Sequence, residues 1–251
     1  MVDVEQLRTR LQEAARLAGF TVTWASGRDD NGLPILSREP VNPAGRIYVS
    51  TGVHGDEPAG PLGVLEALRK RRWAEDIAWT VVPLVNPTGL AAGTRENDGA
   101  IDLNRDYGPE PQTVEVQGHV AWLGEQHWDL ALCLHEDSDG RGAYIYELSQ
   151  PDEPALAHDV LAAMEPHVGI DRSPEIDGMP AKEGVMQPSV EGIRTWERDL
   201  PEAVWLWRRH TPICLTLETP SAQPIVSRVQ AQVAGLCAAV EVWRNSRAVS
   251  A

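Results

Sequence analysis

Apolar residues along this chain recur either at helical spacing or in short continuous runs. Leu7, Leu11, Ala14 and Ala18 keep helical spacing within residues 3–18, which predicts an opening helix. Short apolar runs bounded by turn residues predict strands at residues 20–25, 35–38, 46–51, 79–85, 129–134, 142–148 and 213–217. Further helices are predicted at residues 58–72, 113–126, 153–167 and 221–244.

The order of these elements predicts the fold class. Strands that alternate with helices indicate an α/β fold, with a mixed, largely parallel, twisted sheet covered by helices on both faces. We expect a single domain over residues 1–251, a hairpin around the turn at 29–32, and Asp152 as the cap of the helix at 153–167. Residues 169–200 are rich in Pro, Gly and charge without a clear period, which predicts a loop that walls a cleft.

Candidate metal ligands lie where predicted strands end. His54 and Glu57 form a His-x-x-Glu pair after the strand at 46–51, and His135 follows the strand at 129–134. A catalytic zinc ion takes three ligands of these types and keeps one position open for water. Each piece is common by chance, and a lone His at a strand end is more often structural. The prediction of a metal site therefore depends on their combination with the remaining polar stretches.

Glu218 follows the apolar run at 213–217, which lies between Pro212 and Pro220. Burial of an ionised Glu is costly, and the neighbouring sequence offers no Arg or Lys to pair with it. We therefore interpret Glu218 as a functional carboxylate, a general base that takes a proton from water and returns it to a leaving amine.

The stretch from Arg95 to Arg105 is polar and contains Gly99, which predicts a loop with a functional role. An Arg side chain presents a planar, charged fork suited to a carboxylate or an oxyanion. Taken without their neighbours, both arginines would be interpreted as solvated surface residues.

Together these stretches resemble the zinc carboxypeptidase family, including its murein peptide amidase branch. The resemblance rests on residues 52–57 and 86–89, on Arg95, Asn104, Arg105, His135 and Glu218, and on their order from residue 46 to 220. It implies a zinc-dependent hydrolase that cleaves an amide bond next to a free carboxylate of a small peptide. The implied roles are one Zn²⁺ ion on His54, Glu57 and His135, Glu218 as base, Arg95 on the scissile carbonyl, and Asn104 and Arg105 on the substrate carboxylate. Asp102 would accept a hydrogen bond from His54.

Other functions stay open at this point. The related succinylglutamate desuccinylase/aspartoacylase branch is similar in its zinc triad, Asn-Arg pair and Glu base, and it implies an acylated amino acid as the substrate. A binding module without catalysis is the second alternative, although retention of every implied catalytic residue argues against it. A serine or cysteine hydrolase is the third, but no Gly-x-Ser-x-Gly motif is present.

Two features depart from the resemblance. Classical members have Ser after the third zinc ligand, whereas here an acidic run, residues 136–139, follows His135. We expect this run near the mouth of the site, either as a solvated loop or as an attractor for a cationic group. The substrate-capping Tyr of the family has no counterpart in residues 170–212.

Composition limits the partners and the compartment. The formal net charge of −15 argues against nucleic acid and anionic membranes as partners. No stretch approaches the roughly twenty continuous apolar residues of a membrane span. Cys133, Cys214 and Cys237 cannot all pair and lie in apolar runs, which favours free thiols, with Cys133 a minor candidate for a metal ligand. The first residues do not have the pattern of a signal peptide, so we expect a cytoplasmic location.

Overall fold

A computed structural model describes residues 2–25, 32–194 and 198–249. Its helices are α1 (Val4–Leu17), α2 (Ala59–Arg69), α3 (Pro87–Ala92), α4 (Val114–Leu123), α5 (Ala157–Val168), α6 (Val190–Arg194), α7 (Glu202–Arg209) and α8 (Ile225–Val249). Its strands are β1 (Thr21–Ala25), β2 (Leu33–Arg38), β3 (Gly45–Thr51), β4 (Ile77–Val82), β5 (Leu130–Asp137), β6 (Tyr144–Ser149), β7 (Glu175–Ile176), β8 (Met179–Pro180), β9 (Val185–Met186) and β10 (Ile213–Pro220).

Eight of the strands in these ranges form one sheet in the order β1-β2-β4-β3-β5-β10-β6-β9. The central strands β4, β3, β5 and β10 run parallel, whereas β2 and β6 pair antiparallel with them. Helices cover both faces, which confirms the predicted mixed α/β sheet. The carboxyl ends of β3, β5 and β10 meet at one edge, where open α/β sheets place their ligand sites.

Strand alternation divides the core between the two faces of the sheet. Leu132, Leu134, Leu215 and Leu217 pack on the face covered by α1, α2, α5 and α8. Residues 131, 133 and 214 pack on the opposite face, with α4 and α7. Because successive side chains point to opposite faces, His135 and Glu218 lie on the α7 side, and Glu136 lies on the side of α2 and α8.

Several predicted elements differ from the observed ones. Helix α5 begins at Ala157 rather than 153, and Asp152 does not cap it. The buried side chain of Glu147 on β6 accepts hydrogen bonds from the backbone N–H groups of Leu156 and Ala157 instead. Residues 169–200 contain β7, β8, β9 and α6, and α7 follows directly. Most of the turn predicted at 29–32 lies outside the described residues.

Helix α8 closes the described chain and lies against the sheet. Among the described residues it is the one helix long and apolar enough, by length and composition alone, to cross a membrane. The continuous apolar runs of the sequence did not indicate this, because polar residues such as Arg228 and Gln232 interrupt them. Its buried residues, among them Leu236, Val240 and Trp243, belong to the core, and core helices of soluble proteins meet the same two criteria.

Candidate active site

The turn after β3 places the first two candidate ligands. Gly52 has a φ of 68°, a left-handed conformation that glycine adopts without strain. Gly55 lies so close to the backbone of Gly89 and Leu90 that an added Cβ atom would overlap it. These two glycines let the chain fold back sharply after β3, so that His54 and Glu57 face the same point before α2 begins.

His135 and Glu218 come from neighbouring parallel strands. They are paired in register on β5 and β10, and both side chains are at least nine-tenths buried. Tyr144 on β6 is paired with Glu218 on its other side. Adjacent strands lie about 4.8 Å apart, so these three residues form one row across the sheet.

His54, Glu57 and His135 form a buried cluster that could hold a metal ion. One donor atom from each residue lies within 4.8 Å of the other two. Nδ1 of His54 is 2.6 Å from Oε1 of Glu57, and Nδ1 of His135 is 3.0 Å from Oε2 of the same carboxylate. Both imidazoles therefore turn the same ring nitrogen toward one carboxylate. Cys133 is not in this cluster, because its thiol faces Ser50 and Cys214.

The loop from Arg95 to Arg105 places charge around this cluster. Oδ1 of Asp102 lies 3.2 Å from Nε2 of His54, an ion-pair contact without an aligned hydrogen bond. Its other oxygen, Oδ2, accepts a hydrogen bond of 3.0 Å from Nε of Arg95. Asp102 thus links Arg95 to His54. Asn86 holds this loop in place, because its side chain donates to the carbonyl of Arg95 and caps α3 at Gly89.

Asn104 and Arg105 lie on a single 3₁₀ turn and line the same cavity as the cluster. The side-chain oxygen of Asn104 accepts a hydrogen bond of 2.8 Å from the backbone N–H of Glu202, which leaves its NH₂ group as the donor for a ligand. One Nη atom of Arg105 donates to the carbonyl of Asn104, and the residue is exposed.

The electrostatics of the cluster favour a positive charge. Burial opposes a charge on His54, yet the carboxylates of Asp102 and Glu57 outweigh it and raise its pKa to about 9. Burial likewise opposes a charge on Glu57, but the imidazoles of His135 and His54 lower its pKa to about 2. Burial opposes the charged form of His135 and of Asp102 as well. The carboxylate of Glu57 nevertheless raises the pKa of His135, and His54 and Arg95 lower the pKa of Asp102.

Two observations indicate that these residues fit a metal ion. Two imidazoles and a carboxylate are the donor set of catalytic metal sites that keep a position open. Nε2 of His54 faces a carboxylate, which is the outer contact that fixes the tautomer of a metal-bound imidazole. The cluster can therefore hold a divalent metal ion through both Nδ1 atoms and Glu57.

Glu218 lies beside the cluster as a buried carboxylate. Burial is the largest influence on it, and the carboxylates of Glu57 and Asp137 add to burial. The imidazole of His135 and the guanidinium of Arg95 act in the opposite direction, and the pKa is raised to about 8. The charge of a divalent metal ion on the cluster would lower this pKa and favour the ionised form, which is the form that can accept a proton.

One cavity of about 830 Å³ is lined by the candidate ligands and by the residues around them, His54, Glu57, His135, Glu218, Arg95, Asn104 and Arg105. The wall of the cavity at β6 carries Tyr144 and Tyr146. Their hydroxyl groups donate to Asp137 at 3.0 Å and to Asp177 at 2.8 Å, respectively. Further carboxylates on this wall are Asp139, Asp171 and Glu175, with Arg141 among them. The cavity is thus basic at Arg95 and Arg105, and its remaining lining includes an acidic wall formed by Asp137, Asp139, Asp171, Glu175 and Asp177.

The structure corrects one expectation and adds residues that the sequence did not indicate. Glu136 does not lie at the mouth as a solvated residue, since its carboxylate is buried and pairs with Arg228. Glu202 is buried beneath the site and accepts a hydrogen bond from Tyr48. Strand alternation could have predicted the direction of Glu136, whereas no sequence signal pointed to Glu202.

The fold and the site define a hydrolase of the metallocarboxypeptidase superfamily. The model of the succinylglutamate desuccinylase/aspartoacylase catalytic domain matches residues 43–181, more than half of the chain. The chain belongs to this family. The family is the branch that the sequence analysis gave as the alternative resemblance.

Two curated relatives are a murein peptide amidase and a carboxypeptidase. The chain is 32% identical over 105 residues to murein peptide amidase A of Vibrio campbellii, which covers 41% of this chain and 42% of that protein. It is 24% identical over 151 residues to carboxypeptidase SOL1 of Arabidopsis thaliana, covering 48% of this chain and 30% of that protein. The chain therefore spans less than half of the length of these two relatives.

Solved structures share the fold over nearly the whole chain. A candidate metallopeptidase from Shewanella baltica has a TM-score of 0.81 at 24% identity, covering 96% of this chain and 92% of that one. A metallo-carboxypeptidase from Burkholderia cenocepacia has a TM-score of 0.68 at 14% identity, covering 95% and 68%. At these identities the similarity establishes the fold alone.

Proposed function

We propose that this protein is a zinc-dependent hydrolase that cleaves an amide bond next to a free carboxylate. The observation that carries the proposal is the register of Glu218 with His135, which places a buried carboxylate beside the cluster of His54, Glu57 and His135. A peptide with a free terminal carboxylate is the proposed substrate, supported by the cationic and amide groups in the same cavity.

The metal supplies one part of the chemistry. Zinc held by His54, Glu57 and His135 would provide Lewis acidity, which lowers the pKa of water and polarises a carbonyl group. Asp102 would keep the imidazole of His54 in the orientation that presents Nδ1 to the metal.

The residues of the chain supply proton transfer and charge stabilisation. The Glu218 carboxylate would accept a proton from the attacking water and deliver it to the nitrogen of the leaving amine. The Arg95 guanidinium, held through Nε by Asp102, would stabilise the negative charge that develops on the carbonyl oxygen. The NH₂ group of Asn104 and the guanidinium of Arg105 would bind the substrate carboxylate.

The alternative function is the removal of an acyl group from an N-acyl amino acid. The match to the desuccinylase/aspartoacylase catalytic domain supports it. The acidic wall of the cavity favours the first function, since an N-acylated acidic amino acid such as succinylglutamate carries two or more negative charges and would be repelled there.

The role of Glu218 gives a direct test. Glu218→Gln should lower kcat by about 10²- to 10⁴-fold on a peptide with a free carboxyl terminus, because an amide cannot accept the proton. Bound zinc, measured by elemental analysis, should stay at the wild-type level. Glu39→Gln, which alters an exposed carboxylate that pairs with Arg46 and does not line the cavity, is the matched control and should keep wild-type turnover. Turnover near wild type in Glu218→Gln, or equal cleavage of the amidated peptide by the native protein, would contradict the proposal.

A further inference from the structure

Two side chains of α8 reach the segments that carry the candidate metal ligands. Arg228 and Gln232 are one helical turn apart and therefore lie on the same face of the helix. Both point toward the carboxyl ends of β5 and β10, from the side of the sheet opposite the cavity. Neither residue takes part in the chemistry proposed above.

Glu136 connects Arg228 to both ligand segments. Its side chain has no exposed surface, and one carboxylate oxygen pairs with Arg228. The other oxygen accepts a hydrogen bond of 2.7 Å from the backbone N–H of Ala59, two residues after Glu57. The backbone N–H of Glu136 itself donates to Oε2 of Glu57 at 3.1 Å. Glu136 thus bridges the strand that carries His135 and the turn that carries Glu57.

Gln232 fixes the same strands through a second contact. Its side-chain NH₂ group donates to the carbonyl of His135 at 2.7 Å and to Oγ1 of Thr219 at 3.1 Å. Thr219 is the residue after Glu218. The two α8 side chains therefore act on both strands that bring functional groups to the cavity.

Charge explains why Arg228 is needed at this position. The carboxylates of Glu57 and Glu136 are both buried and close to the same backbone segment. A metal ion on the cluster would balance the negative charge of Glu57. It would lie on the other side of the sheet from the Glu136 carboxylate and would not balance that second charge. A buried charge left without a partner is strongly destabilising, and Arg228 supplies that partner.

We propose that Arg228 is a positioning residue of the metal site, which acts through Glu136 to hold Glu57 and His135 at ligand distance. This inference rests on the proposed function, since it requires that the cluster binds zinc. It assigns a role to the acidic residue that stands directly after His135.

The test measures zinc affinity by competition with a chelating dye, together with the visible spectrum of the Co²⁺-substituted protein, which reports ligand geometry. Arg228→Met should weaken zinc binding by about 10- to 100-fold, the range found when outer contacts of metal ligands are removed. The Co²⁺ spectrum should change with it. Arg247→Met is the control on the same helix, because it removes an ion pair with Glu153, a residue of the segment before α5, and it should leave both readouts unchanged.

A double variant separates positioning from general stability. Arg228 also donates through Nε to the carbonyl of Gln223, a contact that any replacement removes. In Glu136→Gln/Arg228→Met the unpaired charge is gone, while the Gln oxygen can still accept from Ala59. This variant should recover at least half of the lost zinc affinity on a logarithmic scale. It also decides the question if Arg228→Met alone does not fold.

The outcomes distinguish this inference from the proposed function. A native protein that binds no zinc would overturn both. A native protein that binds zinc, with Arg228→Met showing the same affinity and Co²⁺ spectrum, would overturn the positioning role alone. Zinc binding in the double variant that is as weak as in Arg228→Met would also overturn it, because the effect would then not pass through the charge of Glu136.

Discussion

His119 is a fully buried histidine whose two ring nitrogens both have tyrosine partners. Nε2 lies 2.7 Å from the hydroxyl of Tyr48, and Nδ1 lies 2.7 Å from the hydroxyl of Tyr107. Tyr48 donates its own proton to Glu202, so its oxygen accepts from Nε2–H of His119, and Nδ1 accepts from Tyr107. This series of hydrogen bonds ends at Glu202, whose backbone N–H donates to the side-chain oxygen of Asn104. The series therefore connects the core to the cavity.

The neutral state of His119 makes stability depend on pH. Burial, reinforced by His210, lowers its pKa from 6.5 to about 3. In the pH range between these values the unfolded chain binds a proton that the folded protein does not. The stabilisation is therefore complete above about pH 6.5 and is lost as the pH falls toward 3, by about 1.4 kcal/mol per pH unit.

We expect His119→Gln to remove this dependence. The Gln amide offers one donor and one acceptor group, as the neutral imidazole does, but it does not titrate. Between about pH 7 and about pH 5 the free energy of unfolding should fall by about 2 kcal/mol less in the variant than in the wild type, measured by urea denaturation. His158→Gln removes an exposed histidine and is the control. Parallel pH profiles of wild type and His119→Gln would contradict the assigned state.

Individual residues of the candidate site differ in how far the sequence could indicate them. Two His residues and a Glu that follow predicted strands are, in combination, more readily explained as metal ligands than as structural residues. The structure brings His54, Glu57 and His135 together. Their ligand roles, and that of Glu218 as base, remain predictions. The position of Glu202 depends on how α7 packs under the sheet, which no local pattern encodes.

At the scale of elements, the sequence predicts the five longer helices α1, α2, α4, α5 and α8, but it misses some helix ends and the short helices α3, α6 and α7. The sequence before α5 offers Asp152 as a local cap, but the helix begins at Ala157. Its first N–H groups are bound by Glu147, a residue from a strand, which is a tertiary contact. Helix α7 was missed because residues 204–207 are all buried, so its apolar residues form a run without helical period.

Glu147 should therefore stabilise α5, and Asp152 should not. Glu147→Met keeps the size of the side chain but leaves the N–H groups of Leu156 and Ala157 without their acceptor, which should lower the free energy of unfolding by about 2 kcal/mol. Asp152→Ala, at an exposed position, should change it by less than about 0.5 kcal/mol. Chemical denaturation of both variants checks this, and the reverse ranking would show that the helix is capped locally.

At the scale of the whole molecule, the order of strands in the sheet creates the site. The sequence predicts strands β3, β5 and β10 but not that they are neighbours, because crossover helices and packing decide strand order. Once they are neighbours and parallel, their carboxyl ends meet, and residues far apart in sequence face one cavity.

The net charge of −15 and the acidic wall of the cavity should together select among substrates. A substrate with one carboxylate and one ammonium group can place the carboxylate at Arg105 and the ammonium group near Asp137 and Asp177. We expect a dianionic N-acyl amino acid to be repelled both at a distance and within the cavity. We expect kcat/KM to favour the first substrate by at least about tenfold, roughly 1.4 kcal/mol in the transition state.

Salt concentration tests whether this selectivity is electrostatic. Raising ionic strength from about 0.01 M to about 1 M shortens the Debye length from roughly 30 Å to roughly 3 Å, which screens the long-range part of the repulsion. The kcat/KM of the dianionic substrate should rise and the ratio between the two substrates should shrink. An uncharged-side-chain peptide with one carboxylate serves as the control for general salt effects. A preference for the dianion at low salt would instead favour the deacylase function, since the acidic wall would then not govern which substrate enters.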